Sequence, residues 1–258
     1  MATFEAIGSF HSSITETCQS PYQTGLLEKQ TGYILLNKHC NFEQSLEDLA
    51  TFDRLWVIFH FDRVEHWKPK VKTPRDPKKR GVLATRSPHR PNPIGLSAVK
   101  LCSIDGLKLH IEDHDLLDGT PILDIKPYLN YVDSFPDASR GWLENKDEKT
   151  HNLEFSDLVK NKLSYLQKKH QVDLLAGIEC TLQIKPYPDK ENRIKSLSEG
   201  LWEIAYKTWR FSFKIEGDKV FIDDLYGSYT EEYLSGKKES KWDDVPIHQE
   251  FIRRFSKK

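Results

Sequence analysis

Gly81-Val82-Leu83-Ala84-Thr85-Arg86-Ser87-Pro88-His89-Arg90-Pro91-Asn92-Pro93-Ile94-Gly95-Leu96-Ser97-Ala98-Val99-Lys100 decides how the chain is read. Pro88, Pro91 and Pro93 fall within six residues. Each fixes its own φ and pushes the residue before it toward extended geometry, so neither a helix nor a central strand runs through them. Residues 82–84 before the prolines and 96–101 after them read as strands. The reading is a stiff, extended crossover between two strands that carries Arg86, His89 and Arg90. Gly95 permits a sharp re-entry or a close backbone approach. A loop held this stiffly can set a guanidinium against an anion at small entropic cost. A purely structural connector is the competing reading.

Outward from this loop the chain is rich in short strands. Residues 4–10 and 32–37 read as strands. Asn41 and Gln44 form a capping-box pattern before a short helix that presents Phe42, Leu46, Leu49 and Ala50 on one face. Residues 55–61, Leu-Trp-Val-Ile-Phe-His-Phe, are apolar on both faces, as in a central strand covered on both sides. Residues 63–81 are too polar for a helix face. Residues 96–104 and 107–112 flank Asp105-Gly106, a strong hairpin turn. The second of these strands alternates Leu107, Leu109, Ile111 with Lys108, His110, Glu112. Asp118-Gly119 is another turn, and residues 122–125 form a strand that Pro127 ends. So many strands on short turns argue a small β-barrel or sandwich.

Between about residues 137 and 153 polar residues and turn formers take over, which marks a domain boundary. Beyond it Phe155, Leu158, Val159, Leu163 and Leu166 recur at helical spacing. A second helix over 172–184 must stop before Pro186. Trp209, Phe211, Phe213 and Ile215 then alternate into a hairpin that turns at Gly217-Asp218 and returns through Val220 and Ile222. The tail from Glu231 is charged and reads as loosely held. The fold expected is mainly β: an N-terminal barrel-like domain over residues 1–145 and a smaller α+β domain over 146–258.

Composition narrows the function. With 38 Lys+Arg against 39 Asp+Glu the net charge is -1, so any nucleic-acid surface must be local. Such a place exists: residues 63–90 hold ten Lys/Arg against Glu65 and Asp76, with His66 and Trp67 among them. Exposed rings among cations suit stacking on bases, and a solvated loop is the alternative. No apolar run nears the roughly 18–20 residues of a membrane span. Residues 1–5 lack a charged-then-apolar leader pattern, so the expected location is the cytoplasm, or the nucleus. Cys18, Cys40, Cys102 and Cys180 are scattered without a C-x-x-C pair, which argues reduced, mostly buried thiols. His110-Ile111-Glu112-Asp113-His114 fits neither metalloprotease order and reads as solvated surface, so no metal is expected. There is no phosphate loop and no G-x-G-x-x-G turn. Asp113, Asp115, Asp118 and Asp124 crowd one turn. Most such aspartates are turn formers, although Asp118 beside Gly119 could accept hydrogen bonds from a ligand's amine or ribose.

Residues 84–97, ATRSPHRPNPIGLS, resemble the signature of the TsaA-like family of S-adenosylmethionine-dependent methyltransferases acting on threonylcarbamoyladenosine in tRNA. Residues 115–128, DLLDGTPILDIKPY, resemble that family's second hallmark. The resemblance covers roughly residues 4–142 well and the rest weakly. It implies a β-barrel, S-adenosylmethionine as methyl donor, a tRNA substrate and a homodimer with the site near the subunit interface. It also implies four cofactor-binding places. The first is a Pro-Arg-Gln-Pro-Gly turn, here Pro21-Tyr22-Gln23-Thr24-Gly25, with Gln23 and Gly25 kept and Tyr22 and Thr24 replacing arginine and proline. The second is a polar pair closing the central strand, often His-Gln, here Asp62-Arg63. The third is the proline block, with Arg86 and Leu96 matching. The fourth, Asp118-Gly119-Thr120-Pro121, matches fully. Lys126 and Tyr128 just beyond it are either proton-handling candidates or supports of the turn. After the second helix the family's Asp-Pro-Arg-Pro motif is replaced by Tyr187-Pro188-Asp189-Lys190. That departure leaves open another substrate for the same cofactor, or a non-catalytic RNA-binding scaffold.

Overall fold

The computed structural model describes residues 3–16, 30–73, 76–144, 150–188 and 193–255. The chain divides into two compact units, residues 1–147 and 148–258. In the first, the elements are β1 (Gly8–His11), β2 (Thr31–Leu36), α1 (Phe42–Ser45), β3 (Arg54–His60), β4 (Lys70–Thr73), β5 (Asp76–Gly81), β6 (Ile94–Asp105), β7 (Lys108–Glu112), β8 (Pro121–Pro127) and α2 (Asn130–Asp133). Six of the strands close into an antiparallel barrel in the order β1-β2-β7-β6-β3-β8. Closure leaves no unpaired sheet edge among these six.

The barrel forms because its strands alternate. Phe10, Ile34, Leu55, Val57, Phe59, Val99, Leu109, Ile111 and Ile122 point inward and are buried together, as a period of two demands. Two glycines admit rings that need their space. Gly95 pairs with Phe59 across β6 and β3, and a Cβ on Gly95 would fall 2.2 Å from the Phe59 ring. A Cβ on Gly32 would fall 2.4 Å from Phe10. A bulge between Ile58 and Phe59 shifts the pairing of β3 with β8 just where β3 runs out toward Asp62. Bulges re-aim the residues beside them.

Several expectations need correction. Residues 82–84 are a 3-10 turn and not a strand, because the Thr85 amide and hydroxyl both donate to the Val82 carbonyl. Asn41 sits at φ 55 and gives its side-chain amide to Gln44 Oε1 at 2.8 Å, so it does not cap the helix backbone. The strand over 55–61 buries one face in the barrel. Its other face is half-buried, with Trp56 packed on Tyr128 and its indole N–H donated to Asp133. The polar stretch after β3 holds the β4–β5 hairpin, in which Val71 is buried. Cys40 and Cys102 are exposed and Cys180 is buried, while Cys18 lies outside the described residues.

The second unit is a five-stranded sheet, order β10-β11-β12-β13-β9, with helices packed on it. Its elements are β9 (Asn152–Phe155), α3 (Asp157–His170), α4 (Ala176–Ile184), β10 (Ile194–Ser198), β11 (Leu201–Tyr206), β12 (Trp209–Glu216), β13 (Lys219–Gly227), α5 (Glu231–Leu234) and α6 (Val245–Phe255). Only β9 runs parallel to its neighbour, β13, among the described strands. Ser156 caps α3 by accepting from the Val159 amide. Lys162, buried on α3, donates to Asp224 at 2.6 Å and to the Leu225 carbonyl at 2.9 Å, so its charge is paired and two of its three hydrogens are used. The tail is not loosely held. Phe251 of α6 is buried, and His248, 0% exposed, stacks on Trp209 at 3.9 Å. Burial pushes the His248 imidazole below its usual pKa, opposed by Asp244.

Candidate cofactor site

One end of the barrel gathers three of the four expected cofactor places. The turn at residues 118–121 is held almost wholly by backbone. The Asp118 amide donates to the Ile14 carbonyl at 2.7 Å, and the Gly119 amide to the Phe10 carbonyl at 2.8 Å. Thr120 is buried and gives its hydroxyl to the Leu117 carbonyl at 2.7 Å. Gly119 adopts φ 80, and no neighbour lies within 4 Å of where its Cβ would stand. The turn is therefore both left-handed and open on that side. Asp118 Oδ1 accepts the Ser12 amide at 3.1 Å and lies 3.5 Å from His11 Nδ1. Beside it a cavity of about 480 Å³ is lined by His11, Ser12, Tyr33, His110 and Asp118, within the size range of small-molecule sites.

Arg63 has a role the sequence did not disclose. Its two terminal nitrogens donate to the Thr15 carbonyl at 2.7 Å and the Asp118 carbonyl at 2.8 Å. The guanidinium is a strut that ties the end of β3 to the 118–121 turn and to the segment after β1. Asp62, just before it, is exposed. The Phe61 amide donates to the Pro93 carbonyl at 2.8 Å, which pins the proline loop to the same end.

The proline loop is stiffened beyond its prolines. Ser87 N–H donates to Thr85 Oγ1 at 3.2 Å, and Arg90 donates to the Thr85 carbonyl at 2.7 Å. Lys68 N–H donates to the His89 carbonyl at 3.0 Å, so the approach to the β4–β5 hairpin is fastened to the loop. Trp142 N–H donates to the Ala84 carbonyl at 2.8 Å while Arg80 lies 4.9 Å over its ring. Arg86 is exposed and has no ion pair among the described residues. Leu96 is 54% exposed, so it faces outward while Ser97, next to it, is buried. Ser97 Oγ donates to Asp115 Oδ1 at 2.5 Å. Burial raises the Asp115 carboxyl above the usual range, opposed by the Ser97 bond and by the charge of Arg86. This bond ties the start of β6, after the proline loop, to the segment that leads into the 118–121 turn.

Tyr22, Gln23 and Thr24, the first place, lie outside the described residues. Lys126 and Tyr128 stand at the far end of β8, five and seven residues from Pro121, which is about 16–24 Å of extended chain. Lys126 pairs with Asp124 at 2.7 Å, so there it supports its own strand. Of the 110–114 cluster, His114 is buried against the Phe10 ring, contrary to the solvated reading. No group of three metal-ligating side chains occurs among the described residues.

A closed single-sheet barrel with its proline loop and 118–121 turn at one end, and no glycine-rich phosphate turn, is a class apart from the doubly wound nucleotide-binding folds. The family model described as tRNA-methyltransferase O N-terminal domain matches residues 9–134. The chain is 37% identical over 175 residues to the tRNA (adenine(37)-N6)-methyltransferase of Escherichia coli, across 65% of this chain and 74% of that protein. It belongs to the tRNA-methyltransferase O family. A probable S-adenosyl-L-methionine-binding protein of Pyrococcus abyssi is 38% identical over 154 residues, 60% of this chain and 81% of that one. The mouse tRNA (adenine(37)-N6)-methyltransferase is 38% identical over 135 residues, and there the match spans 31% of the relative. A crystal structure of TrmO from Pseudomonas aeruginosa superposes with a TM-score of 0.62 at 26% identity, covering 88% of this chain and 99% of that one.

Proposed function

We propose that this chain is an S-adenosylmethionine-dependent tRNA methyltransferase. It transfers the methyl group to the exocyclic nitrogen of threonylcarbamoyladenosine beside the anticodon. The observation that carries the reading is the fastening of the proline loop and the 118–121 turn to one barrel end in a member of this family.

The donor set fits the cofactor. Arg86 offers an unpaired cation to a carboxylate, Asp118 a half-exposed carboxylate to an amine or ribose, and Gly119 an open approach to backbone. Tyr22, Gln23, Thr24, Asp62, Leu96, Thr120 and Pro121 complete the proposed site, with Arg63 acting as its strut. When bound, S-adenosylmethionine supplies a methyl on a positively charged sulfur that is already a good leaving group. The residues of the chain orient it, since transfer needs nitrogen, methyl and sulfur in line. The nitrogen's proton leaves to a base or to water.

The barrel unit is read as the cofactor and methyl-transfer domain, and the second unit as an α+β domain that adapts it to its substrate. The working state is read as a homodimer in the cytoplasm. Tyr131, Val132 and Phe135 support the pairing, being 81%, 50% and 75% exposed in one short stretch after β8, an apolar patch of the kind that marks interfaces.

Incubating the protein with labelled S-adenosylmethionine and bulk tRNA, then digesting to nucleosides for mass spectrometry, tests the reading. Label is expected in N6-methylated threonylcarbamoyladenosine, and label in no nucleoside would leave only the scaffold reading.

The basic hairpin is read as a tRNA phosphate contact. Lys78→Ala, Lys79→Ala and Arg80→Ala together should flatten the dependence of log K on log salt by about 2–3, since each neutralised phosphate contributes about 0.9. Cofactor affinity should stay at the wild-type value. An unchanged salt slope, measured by anisotropy of labelled tRNA, would return the segment to a solvated hairpin.

A further inference from the structure

The last turns of α3 and α6 are both basic, with Lys168 and Lys169 on one and Arg253 and Arg254 on the other. Between these helices lies a cavity of about 640 Å³, lined by Asn161, Ser164, Tyr165, Lys168, Arg254 and Phe255, with Lys169 at its margin. Asn161, Ser164, Tyr165 and Lys168 follow the three- and four-residue spacing that puts side chains on one helix face. The face therefore offers an amide, a hydroxyl and an ammonium in a row.

Arg254 is already positioned. Its guanidinium carbon lies 4.9 Å from the centre of the Tyr165 ring and 5.7 Å from that of Phe255. A guanidinium held by its flat face keeps its N–H edge for an anion. Among the described residues neither Lys168 nor Arg254 has a carboxylate partner. Neither last turn holds an acid; Glu250, just before that of α6, is engaged by Lys169 and, at 3.4 Å, by His170. Lys169 holds the Glu250 carboxyl below its usual range. Four cations against one acid is a local excess in a chain of net charge -1.

Cations at helix carboxyl ends also answer the helix dipole. That role requires no cavity, no hydroxyl and amide beside the ammonium, and no guanidinium laid on aromatic rings. The combination suits a phosphodiester whose sugar or base rests on Tyr165 and Phe255.

We propose that the α3–α6 groove grips the sugar–phosphate backbone of the tRNA substrate, which makes the second unit an RNA-holding module. This rests on the methyltransferase reading above.

The test uses the full chain and tRNA carrying threonylcarbamoyladenosine, with anisotropy measured across a salt series. Lys168→Gln with Arg254→Gln should weaken tRNA binding about 5- to 10-fold and lower the salt slope by about 2. Lys168→Gln alone, at an exposed position, should lower it by about 1 and covers the case where the double variant folds poorly. Glu250→Gln should act with the opposite sign and tighten binding about twofold, because it releases Lys169. Cofactor affinity should not move. A double variant with a lower melting temperature but wild-type tRNA affinity and slope would overturn the proposal in favour of dipole compensation. If the wild-type chain binds tRNA and these variants bind it equally, this inference alone falls. If the wild-type chain binds no tRNA, the methyltransferase reading falls with it.

Discussion

Transfer RNA lacking the threonylcarbamoyl group is expected to accept no methyl group from this protein, with incorporation at least 100-fold below that into the modified tRNA. The exocyclic nitrogen of plain adenosine is a weak nucleophile, because its lone pair is delocalised into the purine. In threonylcarbamoyladenosine the carbamoyl carbonyl withdraws it further. The modified nitrogen is thus intrinsically no better at attack, and selectivity for it has to come from placement. The threonyl carboxylate provides the handle: it is an anion, and the loop at this barrel end carries Arg90, with Lys68 fastened to it, besides the Arg86 assigned to the cofactor. Holding a reacting group in line is worth several powers of ten in rate, and a substrate without the handle forfeits that gain. Single-turnover methylation of native tRNA and of an unmodified transcript of the same sequence measures the ratio. Equal rates would refute this substrate and leave the cofactor assignment standing.

What the sequence disclosed follows from the range of the forces involved. The alternation of Leu107, Leu109 and Ile111 is a local pattern, and β7 lies where it predicts, with Leu109 and Ile111 inside the barrel. The hairpin at Asp105-Gly106 is likewise local, Gly106 standing at φ 55. Residues 82–84 misled because their apolar, β-branched start resembles a strand, whereas the bonds from Thr85 that curl them are invisible to pattern. The tail misled because its charge hides a narrow apolar stripe. Ile247, Phe251 and Phe255 are spaced four apart in α6 and pack on the core of the second unit. The site was legible as motifs but not as a mechanism of support. Arg63 is expected from the motif to face a ligand, and its guanidinium spans two carbonyls 48 and 55 residues away in the chain, which no motif discloses. Likewise the bond between Ser97 and Asp115 continues the β6–β7 hairpin beyond its pairing of Lys100 with Glu112, where no alternation marks it.

Arg86→Ala should weaken S-adenosylmethionine about 10- to 150-fold, the span that about 1.5–3 kcal/mol gives for a hydrogen bond to a charged group. Two features of the loop argue for a specific contact. First, its stiffness is independent of Arg86. The prolines fix φ, Thr85 and Ser87 brace the turn, and Arg90 grips the Thr85 carbonyl. Removing the Arg86 side chain thus deletes a ligand contact without loosening the loop, and the melting temperature should hold. Second, Asp115, the carboxyl its charge acts on, is engaged by Ser97, and Arg86 has no ion pair among the described residues. Exposure counsels the lower half of the range if the bound carboxylate stays wet, because solvent screens such pairs. Arg86→Lys separates charge from geometry: an ammonium keeps the attraction but not the two-pronged fork, so its affinity should fall between wild type and alanine. Calorimetric titration reads all three proteins. Alanine and wild-type proteins of equal affinity would strip Arg86 of the role and leave the loop as a brace for Leu96 and Ser97.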